Sequence, residues 1–298
     1  LDRRRLLVAM TSVQMLAAAV LAALAAADRV SPGLLAVVVF VAGCVAGLGF
    51  PAYSAMLPDL VPPDLLAEAT AAIDGFDAET EAFLATLDGG RLAIAEAGAI
   101  TFSIHLAARS AVLRRLVSHP NLVGVVADLV GPDARLYWDQ AVYKKPEKPR
   151  RFPWHQDNGY AFVEPQQYLT IWLALTDATV DNGCPQVVPG LHRRGTLRHH
   201  YVDPLGWECL TDPDGVVPAP VAAGGAVVFS SLTPHLTGPN VTGAVRKAYI
   251  VQYAPDGAER LEGDWTAGPP SGRTRCDDAV RQPLVLRGGE PVSWEPGA

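Results

Sequence analysis

The chain has 298 residues, a formal net charge of −7 and a hydrophobic fraction of 49 %. This length provides material for one large domain or two smaller domains with a buried core. The acidic balance argues against nucleic acid as a partner, because phosphate binding requires a basic surface. The four cysteines have neither the CxxC spacing of a zinc site nor the density of a small disulfide-bonded domain, so we expect reduced thiols in a cytoplasmic setting.

Residues 1–70 differ in composition from the rest of the chain. Uncharged runs cover residues 6–27 and 34–58, with a short polar break between them. Each run is long enough to cross about 30 Å of hydrocarbon as a helix. Three arginines at positions 3–5 place the amino terminus in the cytoplasm by the positive-inside rule. We therefore predict two transmembrane helices, with membrane attachment through residues 6–58 that tethers a cytoplasmic catalytic domain to the inner face of the membrane.

Other interpretations of this segment stay open. The first run and its arginines also fit a signal peptide with a cleavage site at residues 25–27. Both runs could instead be buried core helices, although they lack the polar face that such helices usually carry.

The same segment contains motifs of a transport protein. The basic stretch at residues 2–5 resembles a cytoplasmic loop between helices, and residues 51–52, 57–62 and 66–69 resemble a helix end and the loop after it. In these motifs residues 1–70 resemble a fragment of a major facilitator superfamily transporter. The resemblance covers only about two helices, so we expect a fusion relic and no transport by this chain alone.

From about residue 73 the composition becomes that of a soluble protein. Mixed apolar and charged positions predict short helices at residues 80–87, 93–97, 112–116 and 121–130. Short apolar, β-branched and aromatic runs separated by Pro and Gly predict strands at residues 134–143, 168–175, 186–188, 226–230 and 248–253. Helices followed by strands favour an α+β, mainly β domain built on a sandwich or barrel.

The strongest chemical signal is Trp154-His155-Gln156-Asp157, followed far downstream by Pro234-His235. In a β-strand, residues two apart point to the same face, so His155 and Asp157 can bind one metal ion together. His235 from a later strand would complete two histidines and one carboxylate, the donor set of non-haem iron(II) oxygenases. That set leaves positions open for a 2-oxo acid and O2. An HxD pair taken alone usually reflects surface polarity.

A candidate anion-binding residue follows the second histidine. Arg246 lies near the start of the last predicted strand. A guanidinium group can form a bidentate pair with the distal carboxylate of a cosubstrate. Taken alone, Arg246 is more simply explained by a surface salt bridge. The basic cluster of Arg193, Arg194, Arg198, His199 and His200 is most simply a solvated loop.

Several further motifs occur in a fixed order around these residues. They are residues 139–144 (DQAVYK), 153–158 (PWHQDN), 170–175 (TIWLAL), 181–184 (DNGC), 188–192 (VPGLH), His235, 238–240 (GPN) and Arg246. In this order and spacing, residues 73–255 resemble the phytanoyl-CoA dioxygenase family of iron(II)/2-oxoglutarate oxygenases.

The resemblance implies a double-stranded β-helix, a cupin-like jelly roll, with flanking helices, in a domain of residues 71–298. It makes His155, Asp157 and His235 the iron ligands. It makes Arg246 the partner of the distal carboxylate of 2-oxoglutarate, with Lys144 and Gln140 as further candidates for contacting this cosubstrate. A slip of one residue would put Lys145 in place of Lys144. Thr170 and Trp172 are candidates for lining the pocket, although a buried tryptophan is more simply explained as a core residue.

The implied reaction is hydroxylation of a C–H bond in a small molecule, with consumption of O2 and release of succinate and CO2. Halogenating members of the family lack the carboxylate ligand, whereas Asp157 is present here. Two alternatives are a non-catalytic binding protein of the same fold and a membrane transport-related fusion protein. We expect no nucleic-acid partner.

Overall fold

The structure is a computed structural model that describes residues 60–146, 152–263 and 269–294, together with scattered positions between 12 and 38. The chain divides into two compact units, Leu1–Asp59 and Leu60–Ala298. In the first unit, the described positions between 12 and 26 are helical. The predicted membrane spans fall mostly outside the described residues. Among the residues that are described, no helix is both long and apolar enough to cross a membrane.

In the described part of the second unit, four α-helices precede most of the strands. They are α1 (Pro63–Ala85), α2 (Leu106–Arg109), α3 (Ala111–Val117) and α4 (Pro120–Leu129), and short 3₁₀ turns cover Asp88–Gly90, Asp157–Gly159 and Leu191–Arg194. Ser110 caps α3 by accepting a hydrogen bond from the amide of Leu113 at 3.4 Å. Prolines occupy the first positions of α1 and α4, where no intrahelical amide hydrogen bond is lost.

The helix predictions are correct except at one place. Residues 121–130 correspond to α4, and residues 80–87 correspond to the last turns of α1. The prediction of a helix at residues 93–97 is wrong, because Ala93 has a φ of 52° and turns the chain between two paired strands. The predicted boundary at residues 70 and 71 falls inside α1, whose residue Ala69 is fully buried.

The strands of the second unit are short apart from two. They are β1 (Arg91–Leu92), β2 (Ala95–Glu96), β3 (Ile100–Ile104), β4 (Ala134–Lys144), β5 (Val163–Glu164), β6 (Leu169–Ala174), β7 (Pro185–Val187), β8 (His200–Val202), β9 (Gly206–Glu208), β10 (Val217–Pro218), β11 (Ala226–Ser230), β12 (His235–Thr237), β13 (Arg246–Pro255), β14 (Glu259–Glu262), β15 (Gly272–Arg275), β16 (Leu284–Arg287) and β17 (Glu290–Pro291). The five predicted strands correspond to β4, β6, β7, β11 and β13.

The pairing of these strands is antiparallel and forms a jelly roll. The main sheet has the order β1-β2-β3-β4-β13-β6-β11, and β16 joins it beside the start of β4. A smaller sheet has the order β10-β7-β12, and a third has the order β15-β14-β5. The mainly β fold with flanking helices agrees with the predicted double-stranded β-helix.

One face of the main sheet packs against the apolar core, and the other face lines a cavity. Along β13, Tyr249, Val251 and Tyr253 belong to the apolar core shared with the helices. The alternate residues Ile250 and Gln252 line a cavity on the other side of the sheet. This alternation follows from the two-residue period of a strand. Because both faces are covered, the strand has a nearly continuous apolar sequence.

Asp139 of β4 links the sheet to the helices on the core side. Its Oδ2 atom accepts hydrogen bonds from the amides of Leu106 and Ala107, at 2.7 and 3.0 Å, and from the Tyr249 hydroxyl at 2.7 Å. Burial raises the pKa of this carboxyl group, and the three hydrogen bonds oppose that rise. The start of α2 is thereby fixed to the two strands that form the floor of the cavity.

Candidate metal centre and cavity

The structure brings His155, Asp157 and His235 together. Each offers one ligand atom, and these atoms lie within 4.8 Å of one another. The distance from His235 Nε2 to Asp157 Oδ1 is 3.8 Å, and the two imidazole ring centroids are 4.2 Å apart. Both histidines are buried. The three groups are therefore close enough to share one ion.

The two histidines meet through backbone pairing. His155 and His235 form an isolated antiparallel β-bridge in which each amide donates to the other's carbonyl oxygen at 2.9 Å. We had predicted that Asp157 lies on a strand with His155. Instead, Asp157 begins the 3₁₀ turn Asp157–Gly159. The extended backbone ends at Gln156, whose φ and ψ are −107° and 143°. His155 and Asp157 both still line the cavity.

Backbone carbonyl groups orient both imidazole rings. His155 Nδ1 lies 2.9 Å from the carbonyl oxygen of Pro153, and His235 Nδ1 lies 2.9 Å from that of Thr233. A protonated Nδ1 donates to the carbonyl and leaves Nε2 as the ligand atom, which is the usual support for a metal-binding histidine. Burial, and then the neighbouring His235, lower the pKa of His155 well below its ordinary value, which favours the neutral, metal-binding form.

The carboxylate of Asp157 is held by a neighbouring strand. Thr170 of β6 donates from its hydroxyl to Asp157 Oδ2 at 2.5 Å. That bond leaves Oδ1 directed toward His235. Two neutral imidazole nitrogens and one carboxylate oxygen fit iron(II), and this set leaves coordination positions open for other ligands.

Gln156, which lies between two of these ligands and is fully buried, connects the metal segment to a loop. Its side-chain nitrogen donates to the carbonyl oxygens of Gly195 and Leu232 at 2.9 and 2.6 Å, and its oxygen accepts from the Leu197 amide at 2.6 Å. Leu232 closely precedes His235. One amide side chain therefore ties together both segments that carry the ligands.

His199 supports the same segment from the loop. Its Nε2 accepts a hydrogen bond from the Gln156 amide at 3.0 Å. The ring also lies against Gly159, where an added Cβ would be 2.1 Å from a ring atom. Burial lowers the pKa of His199, which suits an acceptor nitrogen. Our interpretation of the basic cluster as a solvated loop is therefore wrong for His199, although Arg193 and its other neighbours are exposed.

The triad opens into a cavity of about 330 Å³ whose walls are mainly aromatic and aliphatic. Its described lining residues include Phe102, Tyr137, Trp138, Gln140, Phe152, Tyr160, Tyr168, Thr170, Trp172, Phe229, Arg246 and Arg260. Thr170 and Trp172 thus line the cavity as predicted. Tyr137, Trp138 and Tyr160 were missed, because nothing in their local sequence shows which side of the sheet or rim they face.

The predicted cosubstrate residues lie at different places. Arg246 is fully buried, lines the cavity, and has its guanidinium carbon 5.2 Å from the centre of the Trp172 ring, a cation–π distance. Gln140 also lines the cavity and accepts a hydrogen bond from Trp138 Nε1 at 3.2 Å. Lys144 pairs with Arg246 across β4 and β13, but its amine donates to the Gly238 carbonyl at 2.6 Å. Among the described residues, Lys144 is not part of the cavity lining.

A jelly roll with two histidines and one carboxylate in the lining of its cavity is the architecture of non-haem iron oxygenases. The chain belongs to the phytanoyl-CoA dioxygenase (PhyH) family, whose model matches residues 55–248, about two thirds of the chain. The match includes residues 55–70, which we had assigned to a transporter-like fragment. The comparisons do not support that transporter resemblance.

The chain is also similar in sequence to individual named proteins. The methylphosphonate hydroxylase of Gimesia maris is 31 % identical over 150 residues, which are 47 % of this chain and 53 % of that protein. The chain spans about half the length of the curated relatives it matches.

Solved structures show the same architecture. The non-haem α-ketoglutarate-dependent carbocyclase SnoK from nogalamycin biosynthesis superposes with a TM-score of 0.60 at 23 % identity, over 77 % of this chain and 91 % of that one. EvdO2 from Micromonospora carbonacea var. aurantiaca, complexed with 2-oxoglutarate, superposes with a TM-score of 0.52 at 26 % identity, over 72 % and 88 %. The likeness to SnoK concerns the fold alone.

Proposed function

We propose that this chain is an iron(II)- and 2-oxoglutarate-dependent dioxygenase that hydroxylates a C–H bond of a small molecule. The reaction consumes O2 and 2-oxoglutarate and releases succinate and CO2. The observation that carries the proposal is the convergence of His155, Asp157 and His235 within 4.8 Å in the lining of a mainly apolar cavity. Membership of the phytanoyl-CoA dioxygenase family supports it.

Each member of the triad has a defined part in holding the metal. The two histidines bind through Nε2, because their Nδ1 atoms face backbone carbonyl groups. Asp157 binds through the carboxylate oxygen that faces His235, while Thr170 holds the other oxygen. Bound iron(II) would supply the redox chemistry that couples oxidation of 2-oxoglutarate to oxidation of the substrate.

Arg246 is the residue that we assign to the distal carboxylate of 2-oxoglutarate. It is fully buried on the cavity face of β13, and its planar guanidinium group can bind a carboxylate through two hydrogen bonds. The Trp172 ring beside it restricts the guanidinium on one side. Gln140, which lines the same cavity, is proposed to contact the same cosubstrate, whereas the Lys144 amine is held by the Gly238 carbonyl.

Aromatic side chains exclude water from the reacting groups. The ring centroids of Phe152 and Tyr160 lie 4.9 and 5.3 Å from that of His155, and Phe229 lies 4.5 Å from His235. A dry site strengthens the ion pair that clamps the cosubstrate, since charge interactions weaken in water. It also protects reactive species from side reactions.

The test is iron binding and succinate formation by the full chain. Under anaerobic conditions we expect one iron(II) per chain and binding of 2-oxoglutarate only in the presence of the metal. Admission of O2 with a library of small molecules should release succinate. The variant His155→Ala should lose both iron binding and succinate release. His200→Ala is the matched control, because His200 is 63 % exposed on β8. Iron binding without succinate formation would instead identify a non-catalytic binding protein of the same fold.

Membrane attachment through residues 6–58 is a separate proposal. It rests on the two uncharged runs and the arginines at positions 3–5. Partition of the full chain between membrane and aqueous fractions tests it. Recovery of the full chain in the aqueous fraction without detergent would contradict attachment and leave the proposed reaction untouched.

A further inference from the structure

A second arginine lines the same cavity. Arg260 lies on β14, a strand of the third sheet, whereas Arg246 lies at the beginning of β13 in the main sheet. The Arg260 side chain is 53 % exposed, and Arg246 is fully buried. The two guanidinium groups therefore belong to two different depths of one chamber.

The glutamates near Arg260 lie on two faces of β14 and have different partners. Glu259 and Glu164 are bound by Arg273 of the neighbouring strand, at 3.3 and 2.8 Å. The alternation along β14 places this group on the opposite face from Arg260. Glu262 shares the face of Arg260 and forms an ion pair with it at 4.0 Å, which is longer than a hydrogen bond and, with both side chains exposed, weakly stabilising. The Glu262 carboxylate accepts a hydrogen bond from the Thr274 hydroxyl.

The charge inside the cavity favours an anion. Among the described lining residues, Asp157 alone carries a carboxylate, and the metal site uses it. The charges of iron(II) and Arg246 are balanced by Asp157 and by the dianionic 2-oxoglutarate. Arg260 then adds a positive charge to the chamber that the metal and cosubstrate do not neutralise.

Arg260 and the triad share their cavity with an aromatic wall. Tyr137 and Tyr168 line the cavity with ring centroids 5.0 Å apart. Burial raises the pKa of Tyr137 above its ordinary value, and the positive charge of Arg260 is among the groups that oppose this rise. A molecule that reached from Arg260 to the triad would pass along apolar surface.

We propose that Arg260 selects the substrate by binding an oxyanion, a carboxylate or a phosphonate, while the apolar remainder of the molecule lies along the aromatic wall toward the triad. This inference rests on the proposed function, because it names the substrate class of the same site. Arg260 is a specificity residue of the cavity mouth, and Arg246 holds the cosubstrate at the other end. The anion fixes the distance of the reacting C–H bond from the metal site.

The experiment measures binding of three matched probes without turnover. The full chain, loaded with iron(II) and saturating 2-oxoglutarate in the absence of O2, is titrated with phenylacetate, benzylphosphonate and neutral phenylacetamide. Dissociation constants come from calorimetry. Arg260→Ala is compared with Arg273→Ala, which removes the same charge from a side chain of nearly equal exposure, 52 %. Melting temperatures and 2-oxoglutarate affinities are measured for each variant.

The expected result is a preference of the wild-type chain for at least one anion over the amide by about tenfold, or about 1.4 kcal/mol. Arg260→Ala should lose this preference and keep its affinity for 2-oxoglutarate, and Arg273→Ala should keep both. The tighter of the two anions identifies the oxyanion that the site prefers. Equal affinity for all three probes, no binding of either anion, or an equal loss in Arg273→Ala would overturn the proposal.

Failure of the proposed function is recognisable in the same samples. If the chain binds no iron(II) or no 2-oxoglutarate, the oxygenase assignment is refuted. Titration of the chain without added iron(II) or 2-oxoglutarate would then still decide whether Arg260 selects an anion. It would compare the affinities for phenylacetate and benzylphosphonate with the affinity for phenylacetamide. A weaker affinity for 2-oxoglutarate in Arg260→Ala would assign this arginine to the cosubstrate and overturn its role toward substrate.

Discussion

The hydrogen bond from Thr170 to Asp157 predicts a specific loss of metal affinity in Thr170→Val. Thr170 is buried, and its hydroxyl lies 2.5 Å from the carboxylate oxygen that does not face His235. Valine has nearly the same shape, so the change removes the donor and leaves the packing almost intact. A hydrogen bond to a charged group contributes about 1.5–3 kcal/mol. Loss of such support for a metal ligand typically lowers affinity by about 10- to 100-fold.

The assay is an anaerobic titration of the metal-free chain with iron(II) against a competing chelator. Thr101→Val is a close control, because Thr101 is equally buried and also donates its hydroxyl to a carboxylate, that of Asp77. That pair joins β3 to α1 and lies away from the triad. Both variants should lose about 1.5–3 kcal/mol of stability, which thermal unfolding of the metal-free chain measures.

Only Thr170→Val should bind iron(II) more weakly. Wild-type affinity in Thr170→Val would show that Thr170 does not orient the ligand. An equal loss in both variants would show that affinity follows general stability. Either result would refute the reasoning from the hydrogen bond.

Three further outcomes are expected. Asp157→Gly should abolish succinate release and retain weak iron binding through the two imidazoles, and wild-type turnover with normal iron content would refute the triad. Arg246→Lys should raise the Michaelis constant for 2-oxoglutarate at unchanged iron affinity. Breaking a buried charge pair costs about 2–5 kcal/mol, which corresponds to a loss of roughly thirty-fold or more in affinity. An unchanged constant in both Arg246→Lys and Arg246→Ala would remove the cosubstrate assignment. A chain of residues 60–298 should fold and bind iron, because this segment forms its own compact unit and Val61 is already in its core. Aggregation of this segment under conditions where the full chain is soluble would show that residues 1–59 stabilise the fold.

The main strands and the last helix could be read from local sequence. The runs at β4, β6, β11 and β13 are rich in β-branched and aromatic residues and are bounded by Pro and Gly, which local propensity is enough to recognise. The hairpin around Ala93 could not be recognised in the same way. Its residues favour a helix locally, and the pairing of β2 with β3 decides against it.

The donor set of the candidate metal site was also visible in the sequence, whereas the residues that support it were not. His155 and Asp157 are two residues apart, and this spacing suggested a shared face. The backbone that realises it is a bridge followed by a 3₁₀ turn. Thr170 and His199 lie 13 and 43 residues from their partners in this segment. No local pattern connects residues so far apart.

The sequence by itself determined the class of fold, the donor set for iron and the family, because these depend on residue types, their order and the alternation along single strands. Only the tertiary structure decided which side chains share the cavity. It directed Lys144 to the Gly238 carbonyl and placed Arg260 at the cavity mouth. The physical reason is that the direction of a long side chain depends on the strands packed beside it, and strands far apart in the chain become neighbours only in the folded sheet.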